Sequence, residues 1–179
     1  EAINTAIAKR LGLLLAAGEG AGAVAESVVD SSELINTLRA GGIAAIGYGH
    51  VPSGEATNET VNTVMTATRS AVRSGLSLTG TVTAETALLV VAGKQDAMSR
   101  KGVEKSRRWI EDETESMQVR GGDFPLESDQ VETLVLLGNI QDSDRIDGFF
   151  QRANEAAAAP TETETEDEKL FQNDELDGL

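Results

Sequence analysis

Asp30 and Glu33 stand three positions apart in the run "VVDSSELINTLRA", where a glycine-rich stretch gives way to a helical pattern. Carboxylates at that spacing form a capping box. Asp30 accepts from the free amides of the first turn, and Glu33 reaches back to the cap amide. Both charges also face the positive end of the helix dipole. Such a box opens many ordinary helices, and the residues alone leave a further role for the two acids open.

The other chemistry-bearing residues are few. His50 is the only histidine and there is no cysteine, so neither a His-x-x-His metal pair nor thiolate chemistry is available. A Ser-His-Asp triad would need that same His50, and no Gly-x-Ser-x-Gly elbow accompanies any serine. His50 is expected to be a strand-end residue without a special role. The glycine-rich "GEGAGA" follows a helix rather than a strand, which fits a hinge loop and not a dinucleotide fingerprint. Trp109 and the few phenylalanines are expected in the core.

The elements that must position these residues follow from periodicity. Ile3, Ile7, Leu11, Leu14 and Leu15 give the first helix one apolar stripe, ended by Gly18, Gly20 and Gly22. The Asp30 cap opens a short helix to about Ala40, stopped by Gly41-Gly42. "IAAIGYG" is a nearly continuous apolar run and predicts a buried strand. Asn58 caps an amphipathic helix carrying Val61, Met65, Thr68 and Val72, closed by Gly75. A second buried strand is expected at 87–92. A charged helix follows, with Glu104–Arg108 and Arg108–Asp112 pairs and an inner face of Val103, Ser106, and Trp109 or Ile110. "SMQVRGGDFP" and "QVETLVLLGNI" predict two strands joined by a turn on Gly121, Gly122 and Pro125. Ser143 caps a closing helix with Ile146, Phe149 and Phe150 as its apolar contacts. The fold class is therefore α/β, or α+β in two layers: a β-α-β-α-β-β four-stranded mixed sheet packed with helices, preceded by a long helix.

Thirty acids against 15 bases give the 179-residue chain a net charge of −15, which repels phosphate backbones and argues against a nucleic-acid partner. Residues 160–179 hold eight acids against Lys169. The remainder is acidic too, pointing to a salt-loving source. Residues 158–179 have the composition of a disordered acidic tail, and Leu170, Phe171, Leu176 and Leu179 are spaced for a short amphipathic turn that could dock on a protein partner. There is no apolar run of membrane-spanning length and no signal-peptide pattern. The chain begins on Glu1 inside a helical pattern, as a piece of something longer does.

The run from the first helix through "VVDSSELINTLRAGGIAAIGYG" resembles the central helix, following loop, next helix and first C-terminal strand of the tubulin/FtsZ superfamily. Bacterial FtsZ has D-x-x-D, a short helix and then G-x-A-x-x-G-x-G; tubulin has D-x-x-E. Here the match is Asp30-x-x-Glu33, then Gly42-Ile-Ala-Ala-Ile-Gly47-Tyr-Gly49. "GGDFP" and "VLLGNI" look most like the archaeal tubulin-like CetZ group. The resemblance spans residues 3–140.

That resemblance implies a domain plan of central helix and activating loop (1–29), C-terminal domain (30–157) and tail (158–179). It also implies a cytoplasmic cytoskeletal GTPase that polymerises head to tail and serves cell shape or division. Glu33 is then the acid that orients the attacking water in a neighbour's GTP site. Asp30 is its companion, acting through the nucleotide-bound Mg. Asn4 would hydrogen-bond the guanine. The family's phosphate-cradling glycine loop is missing from these residues, so GTP would be held mainly outside this chain, which alone should be inactive. Two alternatives stand beside this one. The domain could be a non-hydrolysing structural or regulatory module of the same fold. Or it could be a small enzyme using Arg69, Arg73, Arg107, Arg108 and Arg120 gathered in one cleft.

Overall fold

The computed structural model describes residues 2–18, 29–53 and 57–158. In chain order the elements are α1 (Ala2–Gly18), α2 (Ser31–Arg39), β1 (Ala45–Pro52), α3 (Thr57–Arg73), β2 (Val82–Gly93), α4 (Arg100–Thr114), β3 (Gln118–Pro125), β4 (Gln130–Ser143) and α5 (Asp144–Ala158). They fall into two compact units, Glu1–Arg145 and Ile146–Leu179. The "GEGAGA" hinge loop and the acidic tail beyond Ala158 lie outside the described residues.

The strands form one mixed four-stranded sheet in the order β1-β4-β2-β3. β4 runs antiparallel to both β1 and β2, and β3 joins β2 in parallel. The two central strands carry the continuous Leu/Val runs because both of their faces are covered. Leu89, Val91, Val131, Val135 and Leu137 face Val64, Ala67 and Ala71 of α3 and Ile110 of α4. On the other face Leu88, Val90, Leu134 and Leu136 meet Leu13 and Ala17 of α1, with Leu34 of α2 packed alongside.

The glycines of the "IGYG" run have a packing cause. A Cβ on Gly47 would collide with the Ala71 carbonyl, and one on Gly49 with the Ala67 carbonyl. Their absence lets the backbone of α3 lie directly on β1.

Several expectations are corrected. Gly121, Gly122 and Pro125 are not a turn. They lie inside β3, an edge strand where proline is tolerated, and β2 separates β3 from β4. A Cβ at Gly121 would sit 2.9 Å from the Leu89 carbonyl, so close strand approach explains that glycine. Asn58 lies one residue inside α3, which begins at Thr57. Ser143 makes no side-chain cap. It directly precedes α5, but its buried hydroxyl takes no hydrogen bond among the described residues. β2 starts at Val82, earlier than the apolar run indicates.

The α1 stripe also turns out differently. Ile3, Ile7, Leu11 and Leu15 are 75%, 49%, 47% and 61% exposed, while Leu13 and Ala17 are buried. The face that contacts the sheet is the one with the smaller apolar content. Arg10 fastens it: its guanidinium donates to the Gly75 carbonyl at 2.7 Å and the Ala6 carbonyl at 3.1 Å. In α5 no residue is buried, and Phe149 and Phe150 are exposed rather than packed as expected. The Arg152 guanidinium lies over the Phe149 ring at 4.8 Å.

Candidate functional site

Asp30 adopts the extended backbone of an N-cap (φ −108°, ψ 171°), and its Oδ1 accepts from the Glu33 amide at 2.9 Å. That hydrogen bond, and then one from Ser32, hold the exposed Asp30 carboxyl below the usual carboxylate range. Asp30 is therefore ionised at neutral pH. Glu33 does not complete the box. Half-buried on the first turn of α2, its carboxylate takes no hydrogen bond from any described residue. The cap thus accounts for Asp30 and leaves Glu33 unused.

What fixes these acids is the seat of α2 on the sheet. Thr37 is buried, and its carbonyl accepts from Thr86 Oγ1 of β2 at 3.1 Å. A Cβ on Gly138 of β4 would collide with that same carbonyl and lie 2.6 Å from Thr86 Oγ1. Thr37 Oγ1 in turn donates to the Glu33 carbonyl at 2.9 Å. The glycine gap and the threonine pair therefore set the position of the helix whose first turn carries Glu33.

Asn4 is exposed on the first turn of α1, and its side-chain amide makes no bond among the described residues. It is not beside the acids. Ala17 at the far end of α1 packs in the cluster of Val29 and Leu34, and Asn4 lies about 20 Å from it at the ordinary helical rise. α1 thus has an exposed side-chain amide on its first turn, while its other end lies in the cluster next to α2 and its two acids.

The remaining residues separate. His50 is exposed on β1, with its ring 5.7 Å from that of Tyr48. Tyr48 donates to Glu132 at 2.8 Å, and burial together with that carboxylate pushes its phenol well up. Among the described residues no group of three His, Cys, Asp or Glu side chains could hold a metal. The five arginines do not gather in one cleft. Arg73 pairs with Glu113, Arg108 pairs with Glu104 rather than Asp112, and Arg107 donates to the Val119 carbonyl. Arg120 lies on β3 next to Asn36 and Thr37 of α2, on the other side of the sheet from α3. Trp109 is only partly buried, with Arg69 and Arg73 at 5.7 and 5.4 Å from its ring. The i,i+4 spacing of those arginines was its one signal in the sequence.

Residues 1–155 match the family model of the tubulin-like CetZ C-terminal domain. The chain belongs to this family, within the tubulin/FtsZ superfamily. The tubulin-like protein CetZ2 of Haloferax volcanii is 53% identical over 180 residues, covering 100% of this chain and 50% of that protein. The solved GTPγS-bound protofilament of CetZ2 from the same organism superposes with a TM-score of 0.79 at 55% identity, over 87% of this chain and 45% of that one. The GDP-bound monomer of Haloferax volcanii CetZ1 gives 0.71 at 39% identity, over 87% and 44%. This CetZ domain spans about half the length of the curated relatives it matches.

Proposed function

We propose that this CetZ domain is the activating half of a cytoskeletal GTPase that assembles head to tail, with Glu33 entering the nucleotide site of the next subunit. The observation that carries the reading is the idle Glu33 carboxylate beside a cap that Asp30 completes alone. A half-buried acid with no hydrogen-bond partner among the described residues can accept a hydrogen bond from water. Phosphoryl transfer to water calls for orientation and an acceptor more than for covalent help.

The division of labour follows from the two ends of α1. Asn4 offers an unused donor and acceptor to a guanine in the subunit's own site, and Glu33 serves the neighbour's. Most of the GTP and Mg contacts would come from residues outside this chain. Mg neutralises phosphate charge when bound, and Asp30, kept ionised by its hydrogen bonds, suits the water shell of such an ion. A site finished only by a neighbour ties hydrolysis to assembly, as a cytoplasmic filament controlling cell shape or division needs.

The test uses the intact protein. Glu33→Ala and Glu33→Gln should bind GTP and polymerise as the parent does by light scattering. Phosphate release in the polymer should fall by about 100-fold or more, the scale of a lost general base. Undiminished, assembly-stimulated release by both variants refutes the assignment.

A further inference from the structure

We propose that the groove between α3 and α4 is a docking site for the acidic C-terminal segment, residues 161–179, of a second copy of this chain. The inference is independent of the hydrolysis reading, since the groove lies on the opposite face of the sheet from α1 and α2.

The groove is built to take an acidic, partly apolar peptide. Val61, Met65 and Trp109 give it apolar surface, and Arg69, Lys105 and Arg108 line it with one acid, Asp112. The Arg69 guanidinium carbon lies 5.7 Å from the centre of the Trp109 ring, and a guanidinium can pair with a carboxylate through two parallel N–H donors. Neither Arg69 nor Lys105 makes an ion pair among the described residues. Lys101 and Lys105 stand at i, i+4 spacing on α4, followed at i+7 by Arg108, which Glu104 holds in an ion pair. α4 carries five of the chain's 15 bases against four acids, a net positive helix on an acidic chain.

The complement is in the same sequence. Residues 161–179 hold eight acids against Lys169, with Leu170 and Phe171 to meet Met65 and Trp109. On a chain of net charge −15, few surfaces accept such a segment, and a nucleic acid would meet the same repulsion. A second copy supplies the segment at the high local density that any assembly of the chain creates, which turns a weak ionic contact into a lasting one.

Trp109 is the only tryptophan, so its emission reads the groove directly. The probe is a synthetic peptide of residues 161–179 titrated into the full chain. Expected is a saturable change in emission. It should weaken about tenfold in the Arg69→Ser, Lys105→Ser double variant and persist in Arg69→Lys, Lys105→Arg. It should also weaken between about 0.15 and 1 M salt, as the Debye length falls from about 8 to 3 Å. Circular dichroism checks that both variants keep their helices. No change on titration, or equal affinity in the serine variant, overturns the site. A peptide-free signal that survives hundredfold dilution and vanishes when the chain ends at Ala158 gives the groove to the chain's own segment and overturns the second copy. Displacement of the peptide by phosphatidylglycerol vesicles that themselves shift Trp109 overturns it in favour of a membrane surface.

Discussion

The two acids of α2 show how one spacing divides into two roles. Asp30 is spoken for: the Glu33 amide and Ser32 hold its carboxyl low, so its charged form stabilises the folded state. The sign follows from linkage. A depressed folded-state pKa contributes stability that is fully present above the ordinary Asp value of 3.8 and is lost as pH falls through the folded value. Asp30→Asn keeps a capping oxygen and discards the charge. Its melting temperature should lie below that of the parent at pH 7, and the two should converge as the pH drops below 3.8, measured by thermal denaturation. A gap of constant size down to pH 2 would mean that the charge contributes nothing. The cap was legible in the sequence because it is local. That Glu33 declines its half of the box was not, since reciprocity depends on which side-chain rotamer the helix surface leaves comfortable.

α2 is a short helix, and its position comes from its contacts with the sheet more than from its own propensity. Gly138 is the decisive neighbour, because any Cβ there runs into the Thr37 carbonyl that Thr86 holds. Gly138→Ala should lower stability by about 1–3 kcal/mol in urea denaturation, the usual cost of overpacking. On the function proposed above, it should depress assembly-coupled phosphate release in the intact protein while leaving nucleotide affinity alone; unchanged release would show that the position of α2 does not matter to that function. Element order and type were legible because each helix and strand carries its own period and stops at glycine or a cap. Neighbour relations were not. Gly121, Gly122 and Pro125 read locally as a turn, yet β3 crosses to pair with β2, and nothing within those residues announces a parallel partner. The seat of α2 was equally hidden, because it depends on Gly138, Thr86 and Thr37 arriving from three separate elements.

At the scale of the molecule, the informative feature is what α1 leaves uncovered. Ile3, Ile7, Leu11 and Leu15 form an apolar stripe that the described residues do not bury, on a chain spanning about half of its relatives' length. Such a stripe on an isolated domain drives association. Ile7→Gln with Leu11→Gln should reduce oligomers of the isolated chain in sedimentation velocity, most clearly at high salt, and leave its melting temperature within about 1–2 °C. In the intact protein the same pair should lower the melting temperature, and equal stability there would mean the stripe stays open. The family resemblance was legible in the sequence through the Asp30–Glu33 spacing and the glycine run after it. The packing that α1 uses was not, because its larger apolar face is the one turned away from the sheet. Arg10 adds a mechanical consequence. Its guanidinium hooks the carbonyl of Gly75 at 2.7 Å, and advancing α1 by a single residue is a travel of about 1.5 Å, enough to unhook it unless the bend after α3 is dragged along. The long helix is therefore indexed like a shaft against a detent: rotation about its axis and sliding along it are both registered at one backbone oxygen.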